Sequence, residues 1–490
     1  MGSSAGGEHL ASAPISGAGG FAVVVQVPAE LDPASAALIE VAPELLDRVG
    51  AARSSAVEAL AAGRAVYGVN TGMGKLSKVR LSEEQQRVHQ RNLLLGRAVG
   101  GPPWLGRDEA RAVLIGRLRT FLTGDAAVSV GLVQQLVALI NSGHTPAIPA
   151  EGAGSAGEII PLAHAMAPLV GEGQLLTSGL EVVDAAGVLP PFELGVKEGI
   201  ALLAGIPGAT GRAALQVARV RTLADRLTAV AAAGIAVIGA NRDPYHPLAG
   251  RADDLLTAEL TRIRELAGPE DNPASLQAPV SFRVAGHVIA HERRATQHLD
   301  EAVQRAFDGV TDSPAYLNGE FVGTAGFHGL DLTAHCDQLT AALAHAAEVS
   351  AARLHRLLDP SVTGLTAQLA RDPGPQAGLV AVHKRAVAST HQLRRLTLPT
   401  AINTVETSNG QEDVQTFSWE AVGNLAEAIR LTRETTACEL LAVRQAFALS
   451  PRHLPPGLQG LMDEVDAVVP PINADRPFGL DLTNLLSEVL

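Results

Sequence analysis

Residues 418–447 carry apolar side chains at a helical period: Val422, Leu425 and Ile429, then Leu440, Leu441 and Val443, return to one side. The stretch 325–358 reads as a second long helix after a glycine turn. A helix of about thirty residues is about 45 Å long. Its apolar stripe can be buried only against other helices of similar length. Strand signals are few and short. Hydrophobic residues make up 47% of the chain but aromatics only 3%, the rest being mostly Ala, Leu and Val. That composition suits closely packed helices better than an aromatic-rich sandwich. The predicted fold class is mainly α, a long-helix bundle with a glycine-loop-rich N-terminal region.

Residues 1–20, rich in Gly, Ser and Ala, read as a flexible tail with no secretory signal. Residues 21–490 read as one domain, with a loop-rich part over about 21–205 and a helical bundle over about 206–490. Within it, a helix is expected through Leu38, Val41, Leu45 and Leu46; 82–96, 107–142 and a segment opening at Glu158 carry helical patterns, and 196–235 reads as a buried helical hairpin. Glycine-rich loops are expected over 64–76 and 143–157. The charge of −13, from 38 Lys+Arg against 51 Asp+Glu, repels phosphate backbones and excludes nucleic acid as a partner. No apolar run approaches the ~20 residues of a membrane span, so no membrane partner is expected. The two cysteines, Cys336 and Cys438, cannot form a disulfide framework; they read as buried small hydrophobes in a cytoplasmic protein.

Several familiar sites are excluded. Gly74-Lys75 is followed by Leu76 where a phosphate-binding loop needs Ser or Thr. Gly152, Gly154 and Gly157 fit G-x-G-x-x-G, but Pro146 and Pro149 precede them where a strand should be. No histidine pair or Cys/His cluster has metal-ligand spacing, so no metal is expected. What remains are the two glycine loops and a few polar groups in apolar surroundings. Tyr67 is a general base or a packed phenol whose hydroxyl caps something. Arg283, in the apolar run QAPVSFRVAG, grips a carboxylate or makes a structural ion pair. Gln411-Glu412-Asp413 cap the helix that follows, or Glu412 holds an amine or acts as an acid.

Taken together, several collinear segments resemble the histidine/phenylalanine ammonia-lyase superfamily of aromatic amino acid lyases. VYGVNTGMG (66–74) resembles V-Y-G-V-N-T-G-F-G, and HQRNLLLGRAVGG (89–101) resembles L-Q-x-N-L-x-x-S-H-A-x-G-x-G. KEGIALLAG (197–205) resembles K-E-G-L-A-L-I-N-G, and TDSPAYLNGEFVGTAGFHG (311–329) resembles the D-N-P…N-F-H-G stretch. RLHRLLDP (353–360) and ETSNGQED (406–413) resemble R-x-x-x-L-L-D-P and S-x-N-Q-E-D. The resemblance implies a long-helix bundle of the ammonia-lyase/fumarase-like type. It also implies homotetramers whose active sites are shared between subunits. The family base falls on Tyr67, the carboxylate clamp on Arg283, and pocket-lining positions on Asn70, Phe327, Gln411 and Glu412.

Family members use a methylidene-imidazolone made from an internal Ala-Ser-Gly within G-S-V-G-A-S-G-D-L-A-P-L-A-H. This chain reads G-A-G-S-A-G-E-I-I-P-L-A-H from Gly152 to His164. Counted back from His164, the cyclising serine becomes Ala156. Counted forward from Pro149, the loop is one residue short. Other departures agree: Ala204 replaces a supporting Asn, Ile206-Pro207 a Thr-Gln, Val280 a second Tyr, Gly326 an Asn, and Gly96-Arg97 the Ser-His of the substrate-selecting segment. The expectation is a lyase-like enzyme with no methylidene-imidazolone and no other cofactor. It would run an elimination, or the reverse addition, dehydration or cyclisation, on a small molecule bearing a carboxylate or carbonyl. Tyr67 and Glu412 would act on protons. Arg283, Asn70, Arg97, Gln411 and Phe327 would bind substrate, and the loop at Gly154 and Ser155 would offer backbone N–H groups to an anion. Arg97 would hold a further anionic group, or pair with an acid such as Glu158. The alternatives are a true ammonia-lyase or aminomutase whose ring comes from Gly154-Ser155-Ala156, and a non-catalytic binding homologue.

Overall fold

The computed structural model describes residues 22–490 apart from 178, 180, 403 and 404; the expected tail over 1–20 lies outside them. The N-terminal part begins with a parallel pair, β1 (Val23–Val25) and β2 (Ile39–Val41). Helices α1 (Pro43–Ala61), α2 (Glu83–Leu95), α3 (Arg107–Phe121) and α4 (Val130–Asn141) follow. Strand β3 (Thr145–Pro146) leads to α5 (Ile159–Met166), and β4 (Gln174–Leu176) and β5 (Val182–Asp184) complete a three-stranded antiparallel sheet. Then come α6 (Glu198–Leu203), α7 (Pro207–Val237), α8 (Asp254–Ala267), α9 (Val280–Arg283) and α10 (Ala285–Asp308). A hairpin of β6 (Ala315–Leu317) and β7 (Glu320–Val322) precedes α11 (Leu330–Leu357). The chain closes with α12 (Pro360–Thr363), α13 (Val380–Leu396), α14 (Ser418–Leu449), α15 (Gln459–Val468) and α16 (Phe478–Glu488).

The expected long-helix bundle is present. α14 packs against α11, α7 and α13, while α10 packs against α11, α7 and α8. The apolar interior divides in two. One core is built from residues between Val25 and Leu203, joined by Tyr316, Phe321 and Trp419; the other runs from Ile206 to Val489. The chain crosses between them over 204–205, where Gly205 takes φ +81°.

Three local expectations are corrected. The segment 196–235 is not a hairpin but the six-residue α6 and the 31-residue α7. Pro207 sits in the first turn of α7, where a missing N–H costs nothing. The stretch 107–142 breaks into α3 and α4, and residues 39–41 are strand rather than helix. One apolar window within Glu198–Val237 is long enough to cross a membrane, contrary to expectation, but 89% of it is buried inside the protein as a core helix.

The two cores are stitched where α3 crosses α7. A Cβ on Gly116 would lie 2.2 Å from the Pro207 carbonyl oxygen, and one on Gly211 would lie 2.1 Å from that of Ala112. Only glycine permits backbones this close. The crossing holds the start of α7 beside the loop that precedes α5.

Candidate active site

The loop over 64–80 is folded around Asn70. Its side-chain oxygen accepts from Val66 N at 2.8 Å, and its amide nitrogen donates to the Arg64 carbonyl at 2.8 Å. Asn70 is buried and does not line the cavity described below. Both of its polar ends are spent on the loop, so the expected substrate contact is corrected to a loop-organising role. Tyr67, on the same loop, is 37% exposed, and its hydroxyl oxygen accepts from Gly74 N at 2.9 Å.

Tyr67 lines a cavity of about 890 Å³ together with Arg97, Gly154, Ser155, Phe327, Gln411 and Glu412. Seven of the nine residues expected from the sequence thus meet at one site, although they come from five separate segments. Arg283 does not. It ends the short α9, and its Nε donates to the Ala278 carbonyl at 2.9 Å, away from the cavity of its own chain.

The loop 152–157 enters the cavity through three glycines at positive φ, Gly152 (+81°), Gly154 (+35°) and Gly157 (+83°). Ser155 Oγ faces the Gly157 carbonyl at 3.4 Å. The loop's N–H groups are not all open to an anion, as expected of them, because Ala156 N donates to Glu412 Oε2 at 3.4 Å. That oxygen also accepts from the Thr407 hydroxyl at 2.7 Å, and Gln415 Nε2 donates to the same hydroxyl at 3.1 Å. Glu412 is held on the loop by a relay rather than capping α14, which begins at Ser418. The relay rests on a strained turn, with Ser408 (φ +53°) and Asn409 (φ +58°) both left-handed.

Thr407 was not singled out from the sequence; nothing in ETSNGQED marks which hydroxyl reaches the carboxylate. Its role is testable. Thr407→Val removes a hydrogen bond to a carboxylate, an interaction of about 1.5–3 kcal/mol. Amide deuterium exchange over 154–157 is expected to quicken on the order of tenfold or more, with Thr407→Ser restoring protection. Unchanged exchange in the valine variant would disconnect Thr407 from the loop.

Below the loop lies a buried charged framework. Glu158, fully buried, accepts from Gly208 N at 2.8 Å and Ala209 N at 2.7 Å, the first-turn donors of α7. The expected alternative of an Arg97–Glu158 pair is therefore not realised. Burial pushes the Glu158 carboxyl up to about 7, against the pull of those two N–H groups and of the Arg117 and Arg212 guanidiniums. Arg117, wholly buried, is drawn down to about 10 by desolvation, with Asp312 and Glu158 opposing. Lys197, at φ +76°, starts α6 and pairs with Asp312 Oδ2 at 2.6 Å. Desolvation lowers the Lys197 pKa and Asp312 raises it. These pairs fasten α6 and the segment around Ser313, which both line the cavity.

Arg97 is the cation in the cavity wall. Its Nη1 donates to the Leu93 carbonyl at 3.1 Å and its Nη2 lies 3.5 Å from Met73 Sδ. Among the described residues it makes no ion pair. Burial pulls its pKa below the ordinary value, while the nearby Tyr67 and Glu412 oppose the shift. No cluster of three metal-ligating side chains occurs among the described residues. Both cysteines are buried, as expected.

Comparison with known proteins places this geometry. The chain is 30% identical over 471 residues to a histidine ammonia-lyase of Symbiobacterium thermophilum, covering 92% of each. Tyrosine aminomutase from Streptomyces globisporus superposes with a TM-score of 0.88 at 26% identity, over 95% of this chain and 96% of that one. Ergothionase from Treponema denticola superposes with a TM-score of 0.87 at 21% identity, over 95% and 98%, a likeness of fold alone. The profile of the aromatic amino acid lyase family matches residues 24–467. With the glycine loops, the long-helix bundle and the collinear match all in agreement, the chain belongs to the aromatic amino acid lyase family.

Proposed function

We propose that the protein is a lyase that works without a methylidene-imidazolone, on a small molecule carrying a carboxylate or carbonyl. The observation that carries this reading is the meeting of Tyr67, Arg97 and Glu412 on one cavity, against a loop whose residues do not fit the ring. Closing a ring from Gly154, Ser155 and Ala156 would use the Ala156 nitrogen, which bears a methyl-substituted carbon and already donates to Glu412. Ala204 lines the cavity without a side-chain donor, and Ile206 is buried against Gly329, so neither supplies what the family's Asn and Thr supply.

Tyr67, entering the step as phenolate, takes a proton from the carbon next to the carbonyl or carboxylate. The electron pair left behind forms the double bond and expels the group on the neighbouring carbon, which leaves with its bonding electrons and accepts a proton from Glu412, entering as the carboxylic acid; exchange with water then returns both side chains to their starting forms. The reverse sequence adds a nucleophile to the same double bond. Where the proton is already acidified by a carbonyl, no further electron sink is needed. The working assembly is a homotetramer in which Arg283 serves the cavity of a second copy, which accounts for its distance from its own.

The test combines intact mass with proton exchange. The purified chain is expected at its unmodified mass; a mass lower by two waters would establish a ring and overturn the proposal. β-Substituted acids and ketones incubated in D₂O are expected to lose their α-proton signal by NMR. In Tyr67→Phe that loss should slow by about a hundredfold or more, the ordinary worth of a positioned base. Undiminished exchange in the variant would remove Tyr67 from the chemistry.

A further inference from the structure

The cavity is lopsided. Its polar side carries Tyr67, Arg97, Gln411 and Glu412; its other side is aliphatic, made by Ile159 and Ile160 at the start of α5 and by Ile200 and Leu203 of α6. The aliphatic side runs from a charged end, at Arg97, to an aromatic end, at Phe327. Met73 lies 3.5 Å from the Arg97 guanidinium. A Cβ on Gly68 would meet Met73 Cγ at 3.1 Å and Ile200 Cδ1 at 2.5 Å, so Met73 and Ile200 both close on Gly68 and the cation stands near the start of the wall. The wall continues through Leu203 and Ala204 to Gly205. There a Cβ on Gly157 would lie 3.1 Å from the Gly205 oxygen and 3.8 Å from Phe327 Cβ, which sets the Phe327 ring beside the end of the wall. From Ile200 to Leu203 the helical rise is about 4.5 Å, and the non-helical residues 204–205 carry the wall beyond the end of α6. The volume of about 890 Å³ is near the top of the roughly 300–1,000 Å³ that holds drug-sized ligands.

A half-buried guanidinium that makes no ion pair among the described residues is free to take up an anion that enters the cavity. Branched aliphatic side chains along one wall gain most by covering methylene groups. We infer that the site takes an acid with an extended aliphatic chain, its carboxylate on Arg97 and its chain along Ile160, Ile200 and Leu203 toward Phe327. This deepens the proposed function and rests on its reading of the cavity as the substrate site. It predicts a preference for chain length and a poor fit for a short polar amino acid such as histidine.

Isothermal titration of the full-length protein with sodium butyrate, sodium octanoate, 1-octanol, 3-phenylpropanoate and histidine tests it. Octanoate should bind at least tenfold more tightly than butyrate, 1-octanol, 3-phenylpropanoate or histidine. Arg97→Gln should weaken octanoate at least tenfold. Ile160→Asn should erase most of the advantage of octanoate over butyrate, and butyrate binding that persists in the variant checks that it is folded. Equal binding of butyrate and octanoate, or tighter binding of phenylpropanoate or histidine, would overturn the aliphatic assignment. If Arg97→Gln still weakened every acid in that case, the reading of the cavity would stand. Octanoate that binds the Arg97→Gln protein undiminished, or no acid binding at all, would overturn both.

Discussion

Glu439→Ala is expected to destabilise the protein by about 3–5 kcal/mol, the usual result of stranding one charge of a buried pair. Glu439 on α14 is fully buried and accepts from three donors on α11: Arg353 Nε at 2.6 Å, Arg353 Nη2 at 2.7 Å and Ser350 Oγ at 2.6 Å. This fork joins the two long helices that the sequence period announces. With the carboxylate gone, the guanidinium has no acceptor in an apolar interior and cannot shed its proton. Replacing both partners with apolar residues, as in Arg353→Met with Glu439→Leu, should recover most of the loss, because desolvation is then no longer charged against either group. Denaturant unfolding of the single and double variants measures the difference. A single variant within about 1 kcal/mol of the parent would mean that α11 and α14 separate enough to admit water.

The second large effect depends on pH and centres on Glu158. Its folded carboxyl lies at about 7, whereas an unfolded chain holds such a group near 4.3. Between these values the folded state keeps a proton that the unfolded state has released. The contribution is therefore fully present below about pH 4.3 and is lost as pH rises through 7. The shift corresponds to about 4 kcal/mol of differential stability. Glu158→Gln keeps one acceptor oxygen, turns an amide NH2 toward the other of the Gly208 and Ala209 donors at a cost that does not vary with pH, and cannot titrate. Relative to the parent it should gain up to about 3 kcal/mol between pH 5 and pH 8, read as the difference between their unfolding free energies. A constant difference across that range would show that the carboxylate is ionised throughout, held by the α7 N-terminus and the two arginines.

The long helices were legible because length and period are properties of one segment. Val422, Leu425 and Ile429 announce α14 without reference to anything else in the chain. The hairpin expected at 196–235 failed because the break between α6 and α7 depends on Gly205 and Pro207, while the apolar run beyond them continues. At the candidate site, Tyr67, Arg97, Phe327, Gln411 and Glu412, which line one cavity, were legible as candidates because they lie within motifs. Asn70 was misjudged for the same reason: a motif records that a residue is kept, not whether it faces ligand or loop. Thr407, Lys197 and Asp312 act across 5 to 115 residues of sequence. No local pattern encodes which hydroxyl or ammonium will meet which carboxylate once the bundle closes.

The chain contains only two tryptophans, Trp104 and Trp419. Both line a second cavity, of about 1190 Å³, on the far side of the glycine loop, where Gly154 borders this space and the Tyr67 cavity alike. Trp419 Nε1 donates to the Ala150 carbonyl at 3.0 Å, and the Arg212 guanidinium lies 4.4 Å from its ring centroid. Trp104 packs 5.9 Å from the His164 ring. All of the indole emission of a 490-residue protein therefore originates beside one loop. A displacement of residues 150–154 that breaks the Ala150 bond alters the surroundings of the dominant fluorophore, so loop motion on ligand arrival can be followed optically, in real time and without a label.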